Sequence, residues 1–150
     1  MDPLRVAGRL DALHAIGEYV LQAAAQAGLE NQAAYRLRLA VDEIATNAIL
    51  HGYQPAAYQG DFWVTAVYDE SKLTIILEDS SPAYNPLRTP PPENLDGEPQ
   101  ERPAGGLGIF LALRGVDEFK YQWVNKKNRN IFVQFLTESG QTNGISDYRS

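Results

Sequence analysis

LRLAVDEIATNAILHGY, residues 37–53, has the periodicity of an amphipathic helix, yet it carries polar residues where such a helix packs. At 100° per residue, with Glu43 at zero, Asn47 falls about 40° away and His51 about 80° away. Leu37, Ala40, Val41, Ile44 and Ala48 occupy an arc on one side of that line, and Leu39 and Leu50 lie on the other. The solvated side is expected around Arg38 and Asp42. Glu43 and Asn47 thus stand one turn apart, flanked by packing residues. Burying a carboxylate and an amide there is costly unless each has a partner. A bound ligand or metal is one such partner, which makes the helix the wall of a pocket. A hydrogen bond between the two side chains along the helix is the other.

Outward from this helix, the chain organises simply. Leu4 to Ala7 reads as a short strand. Leu10 to Ala27 reads as a helix with Leu10, Leu13, Ile16, Gly17, Val20, Leu21 and Ala24 on one face and Gly28 as its stop. After the second helix ends at His51-Gly52, Phe62 to Tyr68 and Leu73 to Asp79 form a hairpin around Asp69-Glu70-Ser71-Lys72. Pro82 to Pro103 is polar, aperiodic and holds most of the prolines, which is expected of a functional lid or a disordered loop. Leu107 to Gly115 reads as a short helix. Phe119 to Val124 and Ile131 to Leu136 form a second hairpin around Asn125-Lys126-Lys127-Asn128. Helices first, then strands interrupted by one helix, predict an α+β fold: a two-layer sandwich with a mostly antiparallel sheet covered by helices on one face. Residues 1–137 are expected to form one domain and 138–150 a loose tail.

Composition narrows the function. At 150 residues the chain can bury a real core. No run approaches the ~20 apolar residues needed to span a bilayer, so no membrane association is expected. The start, MDPLRVAGRLDA, lacks a basic stretch followed by an apolar one, so no secretory signal is expected. The absence of cysteine excludes disulfides and thiolate chemistry and fits a cytoplasmic protein. A net charge of −6 argues against non-specific nucleic-acid binding. A nucleotide site in so acidic a chain needs local dipoles or a metal.

Two further signals carry chemistry. Leu73, Ile75 and Leu77 alternate onto the same strand face as Asp79, so a core face ends in a carboxylate. Asp79 either caps the Asp-Ser-Ser-Pro turn or accepts an amine from a ligand lying over the sheet, such as that of adenine. Gly105-Gly106-Leu107-Gly108 then opens a helix. Glycines allow close backbone approach, and a helix start presents free N–H groups with partial positive charge, a combination suited to phosphate. The run fits neither the GxxxxGK[ST] loop nor a strand-linked GxGxxG.

Glu43-xxx-Asn47, then Asp79, then Gly105-Gly106-Leu107-Gly108, in that order and with a proline-rich segment before the glycines, resembles the GHKL ATP-binding superfamily. ExxxNxxxHGY, the run from Asp79 to Pro86 and GGLGI bring it nearest to the anti-sigma factor serine/threonine kinases of the RsbW and SpoIIAB type. The resemblance covers about Leu4 to Leu136. It implies a Bergerat-type fold that uses ATP and Mg²⁺. It also implies roles: Glu43 as general base, Asn47 as Mg²⁺ ligand, Asp79 as the contact to the adenine amine. Gly105, Gly106, Leu107 and Gly108 would be the phosphate cradle. It further implies a sigma factor and an antagonist protein, phosphorylated on serine, as partners, and leaves a homodimer open. One departure stands out: Ser81 occupies the position where the family usually has glycine in Asp-x-Gly. If that backbone needs positive φ, serine there costs about 1 kcal/mol, and its side chain stands near the base. His51 is read as a helix-end dipole or capping partner that could also face the ligand. Arg102 could touch a phosphate, while Glu93, Asp96, Glu98 and Glu101 are expected to be solvated. The competing readings are an ATP-binding partner switch without transfer and a detached histidine-kinase catalytic domain.

Overall fold

Strand β1 (Leu4–Ala7) leads through a 3-10 turn, Leu10–Ala12, into helix α1 (Leu13–Ala27), which stops at the left-handed Gly28. The computed structural model describes residues 1–56, 59–88 and 106–137. Helix α2 (Asn31–Ala48) starts at Asn31 rather than Leu37, because Glu30 caps it: its carboxylate accepts the Ala33 N–H at 2.9 Å. α2 then runs into a π-helical turn, Ile49–Tyr53. Strands β2 (Asp61–Tyr68) and β3 (Lys72–Asp79) form the first hairpin. Helix α3 (Gly106–Leu113) precedes the second, β4 (Glu118–Val124) and β5 (Lys127–Phe135).

The five strands form one antiparallel sheet in the order β1-β2-β3-β5-β4. Along β3 burial alternates: Leu73, Ile75, Leu77 and Asp79 are buried between more exposed neighbours. That face meets Ile16 and Val20 of α1 and Leu37, Val41 and Ile44 of α2, with Phe62, Val64 and Phe132 completing the core. The fold is therefore α+β with a largely antiparallel open sheet, as the element order predicts. No helix among the described residues is long and apolar enough to cross a membrane.

Two details differ from the sequence reading. The second hairpin turns on Asn125 and Lys126 alone, both at positive φ (55° and 61°), as in a two-residue hairpin loop. β5 therefore begins four residues earlier than Ile131, and Asn128 lies in the sheet opposite Asp79 instead of in a turn. On α2 the solvated side is not around Arg38 and Asp42. Leu39 and Leu50 are exposed, together with Tyr35, whereas Arg38 and Asp42 are half-buried. The cause is α1: Arg38 lies across Gly17, where a Cβ would come within 2.6 Å of its Nε, and pairs with Glu18 at 3.6 Å. Glu43 consequently sits at the margin of one buried arc, not between two.

Candidate functional site

A cleft opens between the C-terminal half of α2 and the adjoining ends of β3 and β5. Ile44, Asn47, Ala48 and His51 line one wall, and Asp79, Ser81, Asn128 and Asn130 the other. Tyr84 and Pro86 border it.

Asp79 forms the floor and is almost wholly buried. Its Oδ1 accepts from Ser81 N (3.0 Å), Ser81 Oγ (2.5 Å) and Asn128 Nδ2 (2.9 Å). No hydrogen bond from the described residues reaches Oδ2, which leaves that oxygen as an acceptor for a ligand. Burial pushes the carboxyl above its usual range, partly offset by the Ser81 hydroxyl, the Asn128 amide and the Ser81 N–H. Asn128 is itself fixed, since its Oδ1 accepts from Tyr121 OH at 2.5 Å and Tyr84 N at 2.9 Å. The turn-capping reading of Asp79 is thus met at Oδ1, while Oδ2 carries no bond from the described residues.

The π-helical turn brings α2 onto that floor. Tyr53 OH donates to Asp61 O at 2.7 Å and accepts from Ser80 N at 2.8 Å, tying the end of the helix to both strands of the first hairpin. Gly52 then faces Ser81, where a Cβ would stand 2.8 Å from both Ser81 Cβ and Oγ. The side chain at position 81 thus fits because position 52 has none. Ser81 is not strained: among the described residues Asn125 and Lys126 alone, glycines aside, have positive φ. Its hydroxyl turns to Asp79, and the residue borders the cleft.

Glu43 and Asn47 lie one turn apart on α2, and Asn47 is buried. Asn47 Nδ2 donates to Glu43 O at 2.8 Å and to Glu43 Oε2 at 3.1 Å, so the intrahelical bond is present. It leaves Asn47 Oδ1 buried with no partner. The Glu43 carboxylate also lies against the first turn of α3, since a Cβ on Gly108 would collide with Oε2 and sit 2.7 Å from Cδ. Gly106 and Leu107 open that helix, whose first N–H groups have no intrahelical acceptor. A phosphate at this positive helix end would meet the Glu43 carboxylate, a repulsion that a cation between them would relieve. The orphaned Asn47 oxygen suits an oxygen-seeking cation such as Mg²⁺, which takes one or two protein oxygens and fills its shell with phosphate and water. Among the described residues no group of three or more His, Cys, Asp or Glu side chains is placed to hold a metal ion.

The structure thus brings Glu43 against both Asn47 and Gly108, and Asn47 and Asp79 line the cleft. Gly105 lies outside the described residues, as do Arg102, Glu93, Asp96, Glu98 and Glu101, most of the proline-rich segment and the tail 138–150. His51 is exposed at the rim and His14 is exposed on α1. Sequence reasoning missed Asn128 and Asn130. Their signal was the alternation Asn128, Asn130, Phe132, Gln134, which places three amides on the covered face of β5. The family model of the histidine kinase-like ATPase domain matches residues 6–133, a span that contains the whole cleft. No curated protein matches the chain.

Proposed function

Since this chain belongs to the histidine kinase-like ATPase domain family, a family of ATP-binding domains, we propose that it is an ATP- and Mg²⁺-dependent serine/threonine kinase of the anti-sigma type. It binds a sigma factor and phosphorylates a serine on an antagonist protein. The observation that carries this reading is the contact between the Glu43 carboxylate and the first turn of α3, beside the unpaired Asn47 oxygen. That contact supports reading Glu43 as a base beside a phosphate bound at the start of α3.

In this mechanism Asp79 Oδ2 accepts the adenine amine and the N-terminal turn of α3 holds the phosphates. Asn47 Oδ1 would hold Mg²⁺, which when bound would supply charge neutralisation on the transferring phosphate. Glu43 accepts the proton of the substrate hydroxyl as its oxygen bonds to the γ-phosphorus. The bond from that phosphorus to the bridging oxygen breaks, and ADP leaves. A protein substrate is supported by the outer face of α2, where Tyr35, Leu39 and Glu43 recur every fourth residue and the two apolar side chains are 63% and 57% exposed. A partner resting on them brings its serine to Glu43.

The test is transfer of radiolabel from γ-labelled ATP to the antagonist, beside ATP affinity measured on the same proteins. Glu43→Gln is expected to bind ATP normally and to slow transfer by about 10²–10⁴-fold. Asn47→Ala is expected to weaken Mg²⁺-ATP binding itself. Wild type that binds ATP tightly yet labels no confirmed partner would replace the kinase by a partner switch, a reading consistent with Glu43 Oε2 already being engaged by Asn47.

A further inference from the structure

We propose that the uncovered face of the sheet docks an acidic, partly apolar segment of a partner protein, anchored where Arg5 and Lys127 meet over Trp63. The helices pack against the other face, so this surface lies across the sheet from the cleft and does not depend on the nucleotide reading.

The register fixes which side chains share the face. Trp63 pairs with Arg5 of β1 and Glu78 of β3, and Glu78 pairs with Arg129 of β5; all point away from the face of Leu77 and Asp79. By the same alternation Lys72, Lys120 and Lys127 lie here, with Asp61 and Glu118. Five cations thus stand against three carboxylates, in a chain whose 13 basic and 19 acidic residues leave it at −6. The positive excess is local, and the partner it attracts is acidic.

Trp63 concentrates that charge. The half-buried indole takes the Arg5 guanidinium at 5.2 Å from its ring centroid and the Lys127 ammonium at 3.9 Å, the latter reaching from β5 across β3. Attraction to the ring holds both cations in place. Arg5 Nε bonds Asp61 Oδ2 at 2.6 Å and Arg129 pairs with Glu78 at 3.1 Å, whereas Lys127 meets no carboxylate among the described residues. A carboxylate arriving from a partner relieves the repulsion between the two cations on one ring. Beside them opens a cavity of about 510 Å³, lined by Arg5, Arg9, Gly60, Asp61, Trp63 and Ser80. Arg9 is only loosely engaged, 3.6 Å from Asp11 with both side chains 73% exposed.

The size and surroundings of this corner select a protein segment over a free anion. The cavity is far larger than an inorganic anion. Half-buried Ile76 and Ile131 continue the face beyond Trp63, and Val67 further on is 56% exposed. A free anion gains nothing from those side chains. A peptide gains from both parts, placing carboxylates on the cations and apolar side chains along the strip.

The experiment titrates the full chain by calorimetry with three probes: a synthetic peptide alternating glutamate and leucine, one alternating glutamate and serine, and pyrophosphate. Tryptophan emission in a Trp123→Phe background, where Trp63 is the sole indole, reports the place of binding. Wild type is expected to bind the glutamate–leucine peptide more tightly than either other probe, with a change in Trp63 emission. Lys127→Gln and Arg5→Gln are each expected to weaken that binding by about fivefold. Lys126→Gln removes an exposed cation of the adjoining turn that makes no such ring contact, and is expected to leave it unchanged. No binding of the peptide overturns the proposal, and so does an equal loss from Lys126→Gln, which leaves only diffuse charge. Pyrophosphate binding as tightly as the peptide makes the corner a small-anion site and overturns it too. A dimer in sedimentation equilibrium that Lys127→Glu splits into monomers makes the face an interface between copies of this chain instead. The titration contains no nucleotide, so its failure and the failure of the ATP reading are separate results.

Discussion

Asp79 Oδ1 carries three hydrogen bonds and Oδ2 none from the described residues, and that difference makes its substitution informative. Asparagine at 79 keeps an acceptor for Ser81 and Asn128 but puts an NH₂ donor where Oδ2 faces the cleft. Against an adenine amine that is donor against donor. Asp79→Asn is therefore expected to weaken ATP binding by about 1.5–3 kcal/mol, the usual worth of a charged hydrogen bond, whereas Asp69→Asn leaves it unchanged. Asp69 only closes the first hairpin, accepting from Ser71 N at 2.8 Å and Lys72 N at 3.0 Å. Calorimetric titration giving equal affinities for the two variants would remove Asp79 from the base. The pH dependence has a definite sign. Burial raises the Asp79 carboxyl above 3.8 in the folded protein. Its contribution to stability is then full below that value and is lost as pH rises through the higher folded one. Asp79→Asn lacks that loss, so denaturant midpoints should favour the variant increasingly as pH climbs from about 4 towards neutrality. Asp79 was legible because Leu73, Ile75 and Leu77 fix its face. Asn128 was not, because a four-residue reading of the turn hid a strand residue. Only Asn125 and Lys126 at positive φ show how tight the turn is.

At the level of elements, the site depends on two close approaches, α3 onto α2 at Gly108 and Glu43, and the π-helical turn onto the Asp79–Ser81 turn at Gly52. Alanine in a helix interior normally gains about 0.5–1 kcal/mol over glycine. At position 108 the added methyl instead collides with the Glu43 carboxylate. Gly108→Ala is expected to destabilise the protein and displace Glu43, yet to become neutral or stabilising once Glu43 is alanine. A double-mutant cycle by urea denaturation should return a coupling of about 0.5–3 kcal/mol; effects that add to within about 0.5 kcal/mol would mean the helices do not meet there. The existence of α2 was plain from its 3.6-residue period, but two of its features were not. Its start was hidden because glutamate is not among the usual capping residues, although Glu30 serves as one. Its solvated side was misjudged because Leu39 and Leu50 look like packing residues and Arg38 like a surface one. Packing against α1 reversed that, and a single helix's periodicity contains no information about its neighbour.

Across the whole molecule, the helix-covered face of the sheet is apolar at its centre and polar at one end, where Asp79, Asn128 and Asn130 collect beneath Asn47. Two of these four amide or carboxylate groups keep a buried oxygen without a partner. Such a site lowers the stability of the ligand-free protein, a cost found where function requires polar groups in a core. The net charge of −6 opposes binding in addition, because a triphosphate would enter an already negative chain. Ligand and cation should therefore stabilise the fold together and much less apart. At ATP one hundred-fold above its dissociation constant, binding contributes about 2.7 kcal/mol. For a chain of this size each kcal/mol moves the melting temperature by about 2–4 °C, so Mg²⁺-ATP should raise it by about 5–11 °C. Chelating the metal should remove most of that shift, since the phosphates then face Glu43 without a cation. Asp79→Asn should reduce the shift with metal present, because it weakens the base end alone. Differential scanning calorimetry with ATP, with Mg²⁺ and with both measures all three. A shift of the same size with ATP whether or not metal is present would dissociate Asn47 from any cation. No shift under any condition would show that the cleft does not take nucleotide.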